Sequence, residues 1–561
     1  ASMRFCSSLL LVAVCALCAF LSLALPPPRP SNSPSSRVTY KAAVHQLSSV
    51  GSFEHTPKQN LDDTLSLFEA AAVNASLHGV EVMVFPEALL WNYGLQNRTT
   101  MLQYAAEVPP LAFNSSLCSS PLARTASDTL RRLSCLAERA RAIVAANVVQ
   151  YVECTASDTY LGVECPNDGF YLFNSEVVFE NDGVLAALYR KRHLFSTSDI
   201  LQQPKETEVV SFWSKAIRVQ FGIFVCFDIE FEEPAVELWQ KGVRDFLFSS
   251  SWENGPPLTD ALNYQQGFSR LFLSNLIASN VGTTGYSSGS GIYHAGSVLN
   301  SVFDPTSFDG HTTLIADVPL LHSDIISARV GEEEEKGERG KEGEEVEEGE
   351  ETGKKKGGSH IESGRESAGV TSSGQLPCTF SGVFAGITGA CLPLLDHRHV
   401  AVAHKRVQCD VQVNIKQEGS TTPFLKEGKG VLYAFAFDGV LSFPGTPQGL
   451  PLSLCGVVMC TQNQEGGGGE GEGVVCLPNF DVSSDVTGID ITAKLPSSAL
   501  VFPMVMLKGG QMLKEAADII FTPPAGGRLP LHTGSTTREW GLSSSVPSPV
   551  VSALLYGIDQ V

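Results

Sequence analysis

Basic residues are scarce in this sequence. Its 561 residues include 39 Lys and Arg against 60 Asp and Glu, which gives a formal net charge of −21. A nucleic-acid binder needs Lys and Arg to contact phosphates, so this balance argues against nucleic acid as a partner. Hydrophobic residues make up 43% of the chain and charged residues 18%. This is an ordinary globular composition, with enough apolar material for more than one core.

Long apolar runs are scarce as well. The run from Leu9 to Leu25 follows Met3-Arg4 and precedes a proline-rich stretch. A short basic region, an apolar run and a small residue such as Ala24 are typical of a secretory signal peptide, which we predict at 1–25; a retained membrane anchor is the alternative. No other run is long enough to cross a bilayer. The C-terminal PVVSALLYGIDQV is too short and interrupted for a clear GPI-anchor signal.

These features predict a secreted or lumenal protein without a transmembrane span once the signal is removed. Three N-glycosylation sequons fit the same route, at Asn74, Asn97 and Asn114.

The cysteine count is odd once the predicted signal is set aside. Of 14 cysteines, three lie in the signal and eleven remain. In an oxidising compartment an odd number leaves at least one thiol unpaired, unless the chain pairs with another. Cys154 and Cys165 bracket one short loop, Cys118 and Cys135 bracket another, and six cysteines beyond residue 370 can pair among themselves. Cys226 is the cysteine without a neighbour.

Helix-like and strand-like segments alternate between residues 38 and 330. VEVMVF at 80–85 and the run at 217–226 are typical of buried strands, and 171–179 with 183–191 are typical of a hairpin. Apolar periodicity predicts helices at 61–77, 125–142 and 259–279. We therefore predict an α/β domain at 38–330 whose sheets are buried on both faces.

Two further segments break this pattern. Residues 331–376 are rich in Glu, Gly and Lys and nearly devoid of apolar residues, so they cannot bury a core and are predicted to be an acidic linker or loop insertion. Residues 377–561 contain short strand-like runs between Gly- and Pro-rich turns, with six cysteines. They predict a smaller β-rich domain stapled by disulfides.

Three chemically complementary residues follow apolar strands of the first domain: Glu87, Lys191 and Cys226. Strand ends in an α/β sheet form a rim where side chains converge on a ligand. A thiolate can attack an amide, a carboxylate can accept its proton, and an ammonium with the backbone N–H of Phe227 can stabilise the oxyanion. Singly, each has a plainer interpretation: a solvated acid, a surface cation and a small buried apolar residue.

The sequence around these residues resembles the nitrilase superfamily and, within it, the vanin and biotinidase branch. In the first domain the resemblance rests on VFPE at 84–87, CPNDGFYLFNSEVVFENDG at 165–183, YRK at 189–191, FGIFVCFDIEFEEPAV at 221–236, FSSSW at 248–252, ASN at 278–280 and GSGIY at 289–293. In the second it rests on YAFAFDG, LCGVVMC and ALVFPMVML. It covers nearly all of the chain outside the signal and the acidic segment.

The resemblance implies an αββα sandwich with Glu87 as general base, Lys191 as oxyanion stabiliser and Cys226 as nucleophile. It implies hydrolysis of a linear, non-peptide amide through a thioester, with no metal or cofactor. The substrate is pantetheine in the vanin branch and biocytin or a biotinyl-peptide in the biotinidase branch. A catalytically silent secreted binding protein and transfer of the acyl group to an amine stay open as alternatives. So do a monomer and a homodimer.

Three departures from the family pattern concern the substrate. Ala88 stands where relatives commonly carry Asp, Glu253 follows Trp252 where an apolar residue is expected, and Glu230 replaces an apolar residue four positions after Cys226. We take Trp252, Tyr293 and Glu230 as candidate substrate-pocket residues. Pantetheine is favoured over a biotinyl amide as the substrate, and the departures bear on the substrate pocket and not on the three chemically complementary residues.

Overall fold

The computed structural model describes residues 38–121, 126–282, 287–304, 311–321, 375–380, 384, 387–394, 399–415, 431–443, 449–460, 474–476, 486–507, 511–513, 518–524, 537–545 and 550–560. The predicted signal peptide at 1–25 and residues 331–374 of the predicted acidic segment lie outside these ranges. Leu376, assigned to the acidic segment from sequence, already begins a strand. In the described part of the chain, no helix is long and apolar enough to cross a membrane.

The first domain contains two sheets. Its described strands are β1 (Thr39–Gln46), β2 (Val82–Val84), β3 (Ala106–Glu107), β4 (Ile143–Glu153), β5 (Thr159–Tyr160), β6 (Val163–Glu164), β7 (Phe170–Phe179), β8 (Leu185–Arg190), β9 (Ser211–Ser214), β10 (Val219–Val225), β11 (Asp245–Ser250), β12 (Asn275–Asn280), β13 (Ser290–His294), β14 (Ser297–Val302) and β15 (Thr312–Pro319). One sheet has the order β15-β1-β2-β4-β7-β8, with β3 beside β4. The other has the order β14-β13-β12-β11-β10-β9, and β5 and β6 form a small hairpin.

Helices cover the outer faces of the two sheets. The described helices are α1 (Pro57–Leu77), α2 (Arg98–Leu102), α3 (Asp128–Ala140), α4 (Ala235–Gln240) and α5 (Ala261–Leu271). Phe68 of α1 and Leu133 of α3 share a core with Phe85 beside the first sheet. Leu238 of α4 and Phe268 of α5 belong to the core of the second. The predicted α/β class is confirmed: two face-to-face sheets lie between two helical layers.

The helix predicted over 259–279 is shorter than expected. α5 begins after Asp260, whose carboxylate accepts from Asn263 N at 2.7 Å, and Leu273 with φ 45° ends the helical path. Residues 275–280 form β12 instead. Every residue of α5 and of β12 is buried. Apolar periodicity cannot separate a helix from a strand when both are buried on all sides, which is why the sequence merged them.

The second domain is β-rich, as predicted, and its described strands form two sheets. Its described strands are β16 (Leu376–Phe380), β17 (Thr388–Pro393), β18 (His399–His404), β19 (Val407–Ile415), β20 (Val431–Leu441), β21 (Leu450–Cys460), β22 (Val474–Cys476), β23 (Val486–Pro496), β24 (Ala499–Leu507), β25 (Gln511–Met512), β26 (Ile519–Thr522), β27 (Thr537–Ser545) and β28 (Val550–Asp559). The larger sheet has the order β22-β16-β17-β20-β21-β28-β24-β25, and the smaller has the order β18-β19-β23-β27-β26.

Helix α5 is the main contact between the two domains. It lies on β24, every residue of which is buried. Gly267 allows this close approach, since a Cβ there would meet the Pro503 carbonyl oxygen at 3.3 Å. Arg270 Nη1 donates to the Ile519 carbonyl at 2.9 Å. The second domain is thus packed against the sheet that carries Cys226.

Five disulfides join the described cysteines: Cys118–Cys135, Cys154–Cys165, Cys378–Cys391, Cys409–Cys455 and Cys460–Cys476. The two loop bridges of the first domain and the pairing of the last six cysteines among themselves are as the sequence predicted. Cys226 is free and buried. Cys409 lies on β19 and Cys455 on β21, so their bridge ties the two sheets of the second domain together.

Replacing both Cys409 and Cys455 by Ala should destabilise the second domain. The bridge closes a 46-residue separation, for which the chain-entropy relation gives about 4 kcal/mol. Urea unfolding under non-reducing conditions should therefore show a lower midpoint. Cys226→Ser is the matched control, because it removes a thiol and breaks no bridge. Equal midpoints for the double variant and the control would contradict the bridging role.

Candidate active site

Glu87, Lys191 and Cys226 meet where strands of the two sheets end. Glu87 follows β2, Lys191 follows β8 and Cys226 follows β10. Lys191 Nζ donates to Glu87 Oε1 at 2.7 Å, and the Cys226 thiol interacts with both side chains. The exposed fractions are 4%, 3% and 6%, respectively. The structure thus brings together the three side chains expected to converge, although they are more deeply buried than a sheet rim suggests.

The backbone at Cys226 turns sharply. Cys226 has φ 49°, in the left-handed region, and opens a 3₁₀ turn over Cys226–Glu230. Such a conformation is costly for a residue with a side chain and persists only where neighbours impose it. Asp228 does so: its buried carboxylate accepts from Val225 N at 3.1 Å and from the Tyr189 hydroxyl at 2.8 Å. Asp228 was not predicted from the sequence, where its place two residues after the cysteine is the only local signal.

Hydrogen bonds hold the Glu87 carboxylate in one orientation. Besides Lys191, Oε1 accepts from Asn174 Nδ2 at 2.8 Å, and Oε2 accepts from Ser251 N at 3.0 Å. Asn147 in turn donates to Asn174 Oδ1 at 2.7 Å. The carboxylate is therefore pre-positioned by groups on β4, on β7 and after β11. Asn147 and Asn174 were also missed from sequence; each is a polar residue inside an apolar strand.

The charges of the cluster set the protonation of the thiol and the amine. Burial disfavours the Lys191 ammonium, but the charge of Glu87, with smaller effects from Cys226 and Asp228, outweighs it and raises the Lys191 pKa to about 12. Burial and the Glu87 charge raise the pKa of the Cys226 thiol to about 12, against the opposing effects of Lys191 and the Ser251 N–H. The resting site therefore holds a neutral thiol beside a carboxylate–ammonium pair.

The remaining predicted site residues fall into two groups. Phe227 supplies the first N–H of the turn after Cys226, Trp252 follows the Ser251 that holds Glu87, and Glu230 ends the turn with an exposed fraction of 4%. Tyr293 is different: it is fully buried on β13, and its hydroxyl donates to Gln265 Oε1 of α5 at 3.0 Å. That hydroxyl is already engaged within the core.

Glu176 is a second buried carboxyl that sequence analysis did not identify. It lies on β7, and its Oε1 is 2.7 Å from Ser249 Oγ of β11. Ser249 Oγ is also 2.7 Å from the Phe85 carbonyl. One hydroxyl proton cannot serve both oxygens, so a protonated Glu176 that donates from Oε1 to Ser249 gives each of these three oxygens a partner. Burial raises the Glu176 pKa to about 8, in agreement. Glu176 Oε2 has no partner in the described chain. The neutral carboxyl links the two sheets behind Glu87.

Across the described ranges, no group of three or more His, Cys, Asp or Glu could hold a metal ion. A cleft of about 590 Å³ is lined by residues of β4 and β8, including Gln150, Arg190 and Glu208. Arg190 precedes Lys191 in sequence, but none of Glu87, Lys191 and Cys226 lines this cleft. The cleft is thus separate from the cluster of Glu87, Lys191 and Cys226.

Two family models match the chain. A carbon-nitrogen hydrolase model matches residues 41–266, and a vanin C-terminal domain model matches residues 394–557. A biotinidase from Takifugu rubripes is 34% identical over 265 residues, or 47% of this chain and 52% of that protein. A pantetheinase from Bos taurus is 33% identical over 256 residues, or 45% of this chain and 49% of that protein. The chain thus spans about half the length of these curated relatives.

Among solved structures, an amidase from Nesterenkonia sp. is similar with a TM-score of 0.35 and 17% identity. The match covers 52% of this chain and 94% of that one.

Replacing Glu176 by Gln should change how stability depends on pH. Because burial raises the Glu176 pKa from 4.5 to about 8, the folded protein keeps a proton that the unfolded chain releases. Its contribution is full below about pH 4.5 and is lost as pH rises towards 8. Glu176→Gln should therefore match the wild type near pH 4.5 and unfold at a higher temperature at pH 8, as measured by thermal unfolding at several pH values.

The matched control for that experiment is Glu54→Gln, which alters an exposed glutamate. The unfolding temperature of Glu54→Gln should follow that of the wild type at every pH. A Glu176→Gln difference that is the same at all pH values would contradict a buried, protonated carboxyl.

Proposed function

Because the chain belongs to the vanin and biotinidase branch of the nitrilase superfamily, we propose that it hydrolyses a linear, non-peptide amide through a cysteine thioester. We propose pantetheine as the substrate, with pantothenate and cysteamine as products. The observation that carries the proposal is the buried cluster in which the Lys191 ammonium, the Glu87 carboxylate and the Cys226 thiol are in mutual contact.

The first step is attack of Cys226 Sγ on the amide carbonyl carbon. A C–S bond forms, and because the thiol is neutral at rest, its proton passes to the Glu87 carboxylate as the bond forms. The carbonyl oxygen becomes an oxyanion. Lys191 Nζ and the Phe227 N–H are the donors placed to stabilise it, and their burial strengthens that interaction.

Collapse of the tetrahedral intermediate breaks the C–N bond. Glu87 returns the proton to the departing nitrogen, so the amine leaves neutral and the acyl group stays on Cys226 as a thioester. Water then replaces the amine: Glu87 takes one proton from it, the oxygen attacks the thioester carbonyl, and the thiol leaves with that proton. The products are a carboxylic acid, an amine and the free enzyme.

Biotinyl amides are the second candidate substrate. The biotinidase relative matches 34% over 265 residues and the pantetheinase relative 33% over 256 residues, so identity does not separate the two. The same cluster supports both reactions, because the amide bond is the same and only the acyl group and the amine differ. A silent binding protein on this fold would keep the cluster without turnover.

Cys226→Ala should abolish hydrolysis, and Glu87→Gln should lower kcat by about 10²–10⁴-fold, the usual effect of losing a general acid–base group. Purified protein is assayed with pantetheine and with biocytin, and rapid-quench mass spectrometry looks for an acyl adduct on Cys226. Glu54→Gln, at an exposed loop position, is the isosteric control and should match the wild type.

Turnover that survives Cys226→Ala would contradict the assignment of the nucleophile. Wild-type protein that neither turns over nor forms an adduct with either amide would favour the silent binding protein. Cysteine-dependent turnover of biocytin alone would select the second substrate.

A further inference from the structure

Four buried polar atoms near the Cys226 turn lack hydrogen-bond partners among the residues that the structure describes. They are Glu230 Oε2, Trp252 Nε1 and the hydroxyls of Tyr264 and Tyr556. Their residues are between 0% and 9% exposed. Folded proteins satisfy the great majority of buried polar atoms, so four such atoms in one neighbourhood need an explanation.

The four side chains form one contiguous group. The Tyr264 ring of α5 is 4.9 Å from the Trp252 ring and 5.6 Å from the Tyr556 ring, between centroids. Both tyrosine hydroxyls interact electrostatically with the Glu230 carboxylate. The Tyr264 hydroxyl faces that carboxylate but does not reach hydrogen-bond geometry, so both remain without a partner in the described chain.

The group adjoins the reaction centre on two sides. Glu230 ends the 3₁₀ turn that Cys226 begins. Trp252 follows Ser251, whose N–H holds the Glu87 carboxylate at 3.0 Å. Two of the four residues are therefore adjacent to the reaction centre: Glu230 through the turn of Cys226, and Trp252 through Ser251.

One member of the group comes from the second domain. Tyr556 lies on β28, and Phe502 of β24 packs on Tyr264 at 4.9 Å between centroids. Gln560, just after β28, fixes this junction: its Nε2 donates to the Glu230 carbonyl at 3.3 Å, and its Oε1 accepts from Glu232 N at 2.7 Å. The two domains are thus joined at Glu230, whose side-chain Oε2 lacks a hydrogen-bond partner in the described chain.

The group presents hydrogen-bond donors at neutral pH. Burial raises the pKa of Glu230 to about 8, with Tyr264 opposing the rise, so this carboxyl carries a proton at pH 7. Burial raises the pKa values of Tyr264 and Tyr556 well above 10, and the indole of Trp252 is a donor only. Donors of this kind complement hydroxyl and carbonyl oxygens and reject a bare alkyl chain.

We propose that Glu230, Trp252, Tyr264 and Tyr556 form an acyl-binding subsite, shared by the two domains, that selects amides whose acyl group carries hydroxyl or carbonyl oxygens. The subsite rests on the proposed amidase function and specifies its substrate class. The acyl side is assigned because the acyl group is the part bonded to Cys226 in the intermediate, and Glu230 shares its turn. Glu230, Trp252, Tyr264 and Tyr556 act here in recognition and not in proton transfer.

The test compares two amides of the same amine, cysteamine. One is pantetheine, whose acyl group bears hydroxyl and amide oxygens, and the other is N-pentanoylcysteamine, whose acyl group is a plain alkyl chain. Because the amine is shared, the ratio of their kcat/KM values reports acyl recognition alone. Glu230→Leu and Tyr556→Phe should each lower the ratio by about tenfold, the usual effect of losing one buried hydrogen bond. The ratio should stay near the wild-type value in Glu230→Gln, which keeps a donor.

Tyr40→Phe is the matched control. It removes a buried hydroxyl that donates to Asp245 at 2.8 Å, away from the subsite, and should leave the ratio unchanged. The pH dependence separates recognition from a structural role. In the wild type the ratio should fall above about pH 8, where Glu230 ionises while Tyr264 and Tyr556 stay neutral. In Glu230→Gln it should not.

The same two amides are also compared by calorimetric binding to Cys226→Ala, so recognition is measured without turnover. An unchanged ratio in Glu230→Leu and Tyr556→Phe, in both turnover and binding, would overturn the subsite. Absence of hydrolysis in the wild type, with a binding preference for pantetheine that both variants reduce, would refute the amidase proposal and leave the subsite standing.

Discussion

The buried ion pair between Lys191 and Glu87 is the interaction on which the rest of the first domain depends. Both groups are almost inaccessible to water, so each charge is tolerable only because the other is 2.7 Å away. Loss of one partner of such a pair costs about 3–5 kcal/mol, because the remaining charge stays buried. The asparagines on β4 and β7 and the Ser251 N–H support the same carboxylate. A large part of the polar interior between the two sheets thus serves one carboxylate.

That ion pair also influences the protonation state of the Cys226 thiol. Glu87 raises the Cys226 pKa while Lys191 lowers it, and burial decides the outcome in favour of the neutral form. A permanently charged thiolate would carry its own desolvation cost and react with any electrophile. In the proposed mechanism, a neutral thiol beside a carboxylate becomes a nucleophile only when a carbonyl carbon is in place. Asp228 holds the left-handed backbone at Cys226, and this backbone keeps the thiol at the end of β10.

The sequence predicted the main elements because each has a local signature. The apolar runs at 80–85 and 217–226 contain strands. The odd number of cysteines pointed to Cys226 as the unpaired one, and it is free. The three residues that follow strands also lie together. What escaped prediction depends on packing between distant segments. The boundary between α5 and β12 is hidden because both are wholly buried, and Glu176 and Asn174 look like interruptions of a strand until the second sheet is placed against them. Tyr556 lies 330 residues from Cys226, and no local pattern connects them.

The position of β28 connects the proposed subsite to the disulfide between Cys409 and Cys455. This strand pairs with β21, which carries Cys455, and the bridge from Cys455 to Cys409 holds the two sheets of the second domain in contact. Reduction of that bridge would remove a covalent link from the sheet that carries Tyr556, whereas Glu87, Lys191 and Cys226 lie in the first domain. If the proposed subsite selects the acyl group, a reducing environment would lower that selectivity before it affected the thiol of Cys226. On this view, the Cys409–Cys455 disulfide supports the selectivity for the acyl group and not the rate of the chemical step.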